Sequence, residues 1–207
     1  LFLNSGVTMI VEAAGQEPLR RLGMGILERG CDLIVTSIGV FTDDAFFNAM
    51  KECAEANGSR LMLASGALPG VNWMNSAAMA GVKSATITQI KPVRSWIDTP
   101  AADMVDLKAL KEPTCFFEGS AREAASSFPK SSNITALLAL STAGLDETRV
   151  RTIADPTSDI LRTQISFESE AGNLNLECQV VAAPANPSTG AEVPLTVIKA
   201  LRNLTSS

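Results

Sequence analysis

The first eighty residues switch repeatedly between two hydrophobic periods, and that switching restricts the fold more than any other feature of the chain. Thr8–Ala14 (TMIVEAA) is a compact apolar run suited to a buried strand. Leu19, Leu22, Gly23, Ile26 and Leu27 then recur at i, i+3, i+4, i+7 and i+8, one face of a helix, with Pro18 in its first turn and Gly30 beyond its end. Asp32–Phe41 (DLIVTSIGVF) reads as a second buried strand. Thr42 is placed to cap the next helix, whose first turn holds Asp43 and Asp44, where the macrodipole favours acids. Its inward face is Phe46, Phe47, Met50, Cys53 and Ala54, and Gly58 closes it. Arg60–Ala67 (RLMLASGA) supplies a third strand and Gly70–Ala80 a third helix. Strands that alternate with helices over short links predict a parallel α/β layer with right-handed crossovers.

The patterning changes after Val82. Lys83–Ile90 is rich in Thr and Ile and reads as a strand, whereas Lys91–Pro113 reads mostly as loop. Ser120 with Glu123 forms a capping box for a short helix ending at Phe128–Pro129. Asn133 is placed to cap a helix over Ile134–Ala143, closed by Gly144. Leu174, Leu176, Cys178 and Val180 alternate with Asn173, Asn175, Glu177 and Gln179, and Ile165 and Phe167 continue the apolar face across a turn at Glu170–Gly172. Pro184–Gly190 reads as a loop before a last helix carrying Leu195, Ile198 and Leu201. The expected fold is α/β plus α+β: a partial parallel sheet over residues 1–80, then an α+β domain over 81–207 with a mixed or antiparallel sheet.

Composition narrows the chemistry. The 207 residues include no His and no Tyr, so no Ser-His-Asp relay, Cys-His pair or His-ligated metal can be built from them. No metal site is expected, and proton transfer falls to Asp, Glu, Lys, Cys or hydroxyls acting through water. A net charge of −5 leaves nothing basic to track a phosphate backbone, so no nucleic-acid partner is expected. The longest nearly apolar stretch, Ile134–Gly144, falls well short of the roughly 20 residues of a spanning helix, so no membrane role is expected either. Cys31, Cys53, Cys115 and Cys178 are scattered with no CxxC, which reads as buried or half-buried free thiols of a reducing, cytoplasmic setting. Gly23, Gly25 and Gly30 are spaced GxGxxxxG inside an amphipathic helix, a pattern for close helix–sheet packing rather than phosphate binding.

Several blocks carry a family resemblance. VEAAGQE (Val11–Glu17), DLIVTSIGVFTD (Asp32–Asp43), SGALPG (Ser65–Gly70) and KPVRSWIDTP (Lys91–Pro100) occur in the order seen in L-aspartate dehydrogenases. So do FFEGSAREAASSFPKSSNITALLAL (Phe116–Leu140), LDETRVRTIADP (Leu145–Pro156) and NPSTG (Asn186–Gly190). The chain resembles that family without the first, glycine-rich half of its Rossmann domain. The resemblance implies NAD- or NADP-dependent oxidative deamination of L-aspartate through iminoaspartate, a link to NAD biosynthesis, and a homodimer built on the C-terminal half. Ala13–Gln16, Ser37–Val40 and Ser65–Leu68 each follow an apolar strand, at the sheet edge where α/β folds bind ligands. There Ala13, Ser37 and Ala67 give a flat nicotinamide ring room to lie against backbone. In the family the positions of Ala67 and Asn133 contact the cofactor, although Asn133 serves equally as a helix cap. Lys91 is either a cation for a substrate carboxylate or, on base rates, a solvated surface lysine.

The chain departs from the family at its catalytic histidine. Thr163 stands at that position and Leu161 at the asparagine two residues before it. Threonine cannot accept a proton near neutral pH, and general acid–base help is worth about 10²–10⁴-fold. The expectation is an impaired dehydrogenase with some other base. The alternative is an inactive homologue that serves as an oligomerisation or regulatory module.

Overall fold

Three short parallel strands, β1 (Met9–Glu12), β2 (Asp32–Val35) and β3 (Leu61–Leu63), lie side by side in chain order in the computed structural model. It describes residues 6–64, 68–183 and 186–205. The chain divides into two units, 1–64 and 65–207.

In the first unit, α1 (Gln16–Leu27) follows β1 and α2 (Asp44–Ala56) follows β2. Leu33, Ile34 and Val35 of the central strand are buried, as are Leu19, Leu27 and Met50 from the two helices. Leu22, expected on the inward stripe of α1, is 48% exposed because it sits at the margin of that stripe. Gly23 packs closely against helix α2 rather than against the sheet as expected: a Cβ there would come 2.8 Å from Met50 Cε. β2 is shorter than its apolar run. The chain leaves the sheet after Val35, turns at Thr36–Ser37 and forms a 3-10 turn over Ile38–Thr42 that still buries Ile38, Val40 and Phe41. A continuous apolar run records burial, not strand geometry. Asp43 rather than Thr42 caps α2: its carboxylate accepts the Phe46 amide at 3.1 Å, while the Thr42 hydroxyl donates to the Gly39 carbonyl.

The second unit is built on a five-stranded sheet. Its central strand is β4 (Val82–Pro92); β5 (Thr114–Ser120) and β6 (Arg149–Asp155) lie to one side, β7 (Leu161–Ser169) and β8 (Gly172–Val180) to the other. The order is β5-β6-β4-β7-β8, with β4 and β6 parallel and every other pair antiparallel, so the sheet is mixed. The β7–β8 hairpin has the expected sidedness: Thr163 faces Cys178, Ile165 faces Leu176 and Phe167 faces Leu174. Neither β5 nor β6 is marked by the sequence pattern.

Helices α3 (Val71–Ala78), α5 (Ala121–Ser127) and α6 (Asn133–Ser141) pack on one another and against this sheet. Trp73 of α3 meets Phe167 edge-on with ring centroids 6.2 Å apart. The α5 capping box is complete, with the Glu123 amide donating to Ser120 Oγ at 3.2 Å and the Ser120 amide to Glu123 Oε2 at 2.7 Å. Ser132, not Asn133, occupies the cap position of α6, and Asn133 is the first helical residue.

The proline-containing stretch after β4 holds the short helix α4 (Ala101–Met104) and supplies core rather than surface. Trp96 is 0% exposed there and packs with Ala101, Leu107, Phe128 and Ala154. Where a loop is expected at 184–190, β9 (Ala182–Ala183) and β10 (Asn186–Gly190) pair antiparallel. The last helix, α7 (Val193–Thr205), leaves Leu195 64% and Ile198 46% exposed, so its apolar positions are not all packed.

Candidate functional site

Each unit presents its own group of functional side chains. In the first, the carboxyl ends of β1 and β2 are tied by a residue that the sequence pattern hides. Glu12 ends an apolar strand and is only 7% exposed. Its Oε1 accepts the Ala14 amide at 2.7 Å, the Gly15 amide at 2.8 Å and the Ser37 hydroxyl at 3.0 Å, while Oε2 accepts the Ser37 amide at 3.0 Å. Charge-assisted bonds of this kind are the strong ones, and four of them meet the demands of a buried carboxylate. Glu12 thereby fixes Ala13 and Ser37, two of the expected cofactor positions, along one strand-end rim. A glutamate closing an apolar run was the available signal, because such a carboxylate must find donors.

The rim suits one part of a dinucleotide and not another. Ala13 and Ala14 expose small side chains there, and Gly15 holds φ at 113°, which lets the chain turn sharply into α1. Such an edge leaves room for a flat ring to lie against backbone. A pyrophosphate is not suited to it: the Ala14 and Gly15 amides are already taken by Glu12, Glu17 puts an acid in the first turn of α1, and Pro18 has no N–H to offer. Ala67, the third expected rim residue, lies outside the described residues.

In the second unit, polar side chains converge beneath the start of α6. Gln89 Nε2 donates to Thr135 Oγ1 at 2.7 Å and to the Ser131 carbonyl at 3.2 Å. Two residues further along β4, the Lys91 ammonium donates to Ser131 Oγ at 3.3 Å and lies 5.0 Å from the centre of the Trp96 ring. Lys91 is 9% exposed, which overturns its reading as a solvated surface lysine. Burial pushes its pKa down to about 8, even though the Trp96 face favours the charged form. The loop residues 93–96 fold back under β4 and bury it, a placement that local pattern does not encode.

Thr163 pairs with Gln89 on one side and with Cys178 on the other. Side chains alternate along a strand, so Thr163, Gln89 and Lys91 share a sheet face, with Lys91 a diagonal neighbour of Thr163 at about 7–8 Å between Cα atoms. Asn133 lies two residues beyond Ser131 at the first turn of α6. Expected residues Thr163 and Asn133 thus fall in the neighbourhood of Lys91.

The thiol opposite Thr163 is a poor base. Burial pushes the Cys178 thiol up and the Glu192 charge adds to that, so the group stays protonated near neutral pH. All four cysteines are free, and Cys115, expected to be buried or half-buried, is exposed on the edge strand β5. On the opposite sheet face Asp155 is 2% exposed and bonded to Thr157 and Arg162. Burial works to raise its pKa but is outweighed by the Thr157 hydroxyl and amide and the Arg162 guanidinium, so the carboxyl titrates below the usual carboxylate range. Among the described residues no group of His, Cys, Asp and Glu is placed to hold a metal ion, and no helix is long and apolar enough to cross a membrane.

Comparison with known proteins covers both units. Residues 72–204 match the family described as aspartate dehydrogenase, C-terminal, and residues 1–64 match the homoserine dehydrogenase NAD binding domain. An L-aspartate dehydrogenase of Brucella anthropi is 34% identical over 199 residues, 96% of this chain and 74% of that protein. One from Ralstonia pickettii is 36% identical over 203 residues, 98% of this chain and 76% of that protein. Among solved structures, an aspartate dehydrogenase from Thermotoga maritima superposes with a TM-score of 0.79 at 27% identity, covering 97% of this chain and 77% of that one.

Proposed function

The chain belongs to the aspartate dehydrogenase family, and from that premise we propose that it catalyses NAD(P)-dependent oxidative deamination of L-aspartate, through iminoaspartate, to oxaloacetate and ammonia. The supporting observation in the structure is the Glu12 clamp, which fixes small strand-end residues into a flat rim. In this reading Ala13, Ser37, Ala67 and Asn133 are the cofactor-binding positions. The bound nicotinamide supplies a two-electron oxidant. The chain's own residues bind and orient the dicarboxylate and hold the proton that the amine gives up. In the proposed division of labour, residues 1–80 bind the dinucleotide and 81–207 bind the substrate and pair with a second copy. Iminoaspartate made in this way is the proposed contribution to NAD biosynthesis.

The open face of the mixed sheet, with Gln164, Glu168, Asn175 and Glu177 exposed, is the proposed dimer surface. Light scattering checks it, and a mass of one chain at micromolar concentration refutes it.

The activity test follows reduced nicotinamide formed from NAD⁺ or NADP⁺ with L-aspartate, and its loss in the reverse direction with oxaloacetate and ammonia. Turnover in both directions is expected. A rate no greater than without enzyme refutes the catalytic reading and favours an inactive homologue, for which the Thr163 replacement is the motivating feature.

A further inference from the structure

The missing histidine leaves a proton without an acceptor. We infer that Lys91 is the general base of this chain: its amine, enclosed by Ser131 and Trp96 on the sheet face it shares with Thr163, takes the proton from the substrate's α-amino group. This rests on the reading of the chain as an amino-acid dehydrogenase. The balance is simple. As the α-carbon is oxidised by the nicotinamide cofactor, the C–N bond becomes C=N and one N–H proton passes to Lys91 Nζ. When water adds to the imine, the same amine, having released its proton to solvent, accepts one from the water and returns it to the nitrogen; it then takes the hydroxyl proton as the C–N bond breaks and ammonia leaves.

Three observations carry the assignment. The first is position: Lys91 is a diagonal neighbour of Thr163, where the family resemblance places the histidine, so a long side chain from β4 reaches the same space. The second is that, among the described residues, Lys91 has an anchor but no counter-ion. Its partners among the described residues are a hydroxyl and an aromatic face, so it is buried as an amine able to lose its proton rather than locked in an ion pair.

The third is that the charged groups near it act on other partners. Ala154 of β6, Thr163 of β7 and Cys178 of β8 share the Lys91 face, and Cys178 stays protonated. Asp155 pairs with Pro92 and Arg162 with Ile90, so both point to the opposite face and bond to each other. Arg94, in the turn that carries Trp96, is held by Asp159 on the surface, and Lys130, before Ser131, is exposed. Glu192 lies by Cys178, on the Lys91 side of the sheet, and its charge acts on that thiol. Desolvation is therefore the cause of the weakened proton affinity, and it brings the amine to about 8, close to a working pH.

Lys91→Gln and Lys91→Arg separate this role from its rivals. A base requires both variants to lose about 10²–10⁴-fold in kcat with KM little changed, because arginine keeps the charge and cannot take a proton. Thr163→His in the Lys91→Gln background is then expected to recover at least about tenfold of the lost rate. Independently of turnover, trace acetylation of the free protein across pH, read on the Lys91 peptide, is expected to show a midpoint near 8. Three results overturn the assignment while leaving the function intact: Lys91→Arg with normal kcat, a rise in KM alone, or no rescue by Thr163→His. An acetylation midpoint at the ordinary lysine value overturns it whether or not the chain turns over. A wild-type chain without turnover overturns the functional reading, and the base with it.

Discussion

Removing one oxygen from Glu12 tests whether a buried carboxylate holds the strand-end rim. In Glu12→Gln the side chain keeps its shape, and Oε1 can still accept the Ala14 and Gly15 amides and the Ser37 hydroxyl. The group replacing Oε2 is an NH₂ that points at the Ser37 amide, so two donors face each other where a 3.0 Å hydrogen bond stood. One charge-assisted bond is lost and a buried N–H is left unpaired, which together cost about 2–3 kcal/mol. At 7% exposure little solvent is available to offset this. Glu12→Ala strands several amides at once and is expected to cost about 4 kcal/mol or more.

The assay is amide hydrogen exchange. The 2 Trp residues, Trp73 and Trp96, both lie in the second unit, so tryptophan fluorescence reports that unit and serves as the internal control. Exchange at Ala14, Gly15 and Ser37 is expected to quicken roughly 30- to 150-fold in Glu12→Gln, while the fluorescence transition stays in place. Protection at those amides changed by less than about 0.5 kcal/mol would refute the clamp and, with it, the claim that the rim is held rigid.

Other perturbations follow from the same geometry. Lys91→Met is expected to stabilise the chain by about 1–3 kcal/mol below pH 8, since a buried ammonium without a counter-ion opposes folding. The folded pKa lies below the unfolded one, so wild-type stability climbs with pH from about 8 to 10.5 and the gain disappears over that window; urea midpoints across pH check it. Asp155 works in the opposite sense. Its folded pKa is depressed, so its stabilisation is present above about pH 4 and lost as pH falls through the folded value. Asp155→Asn is expected to lower stability by about 2–3 kcal/mol at pH 7, and a difference from wild type that persists unchanged at pH 2 contradicts the account. Gly23→Val forces a branched side chain against Met50 and is expected to cost about 1–3 kcal/mol by thermal unfolding; a neutral effect means α1 and α2 are packed less closely than described.

How much of the molecule the sequence discloses depends on the range of the interaction responsible. The parallel layer, the α5 capping box and the β7–β8 hairpin all follow from residues within a few positions of one another. Period, caps and turn residues therefore announce them. The motif order adds the family. Even there, local reading overreached: ten consecutive residues from Asp32 looked like strand, and the chain left the sheet after four.

Tertiary structure alone decided which polar groups are buried and what they touch. Lys91 and Trp96 sit in a stretch without periodicity, and nothing nearby in sequence says that they enclose one another. β4 pairs in parallel with β6 only after the chain has passed through α5 and α6, which brings Ser131 over Lys91. Glu12 likewise meets Ser37 through the pairing of β1 with β2. Desolvation and hydrogen bonding at these residues depend on neighbours 25 to 40 positions away. Strand pairing and crossover direction fix such neighbours, whereas hydrophobic period records only which side of an element turns inward.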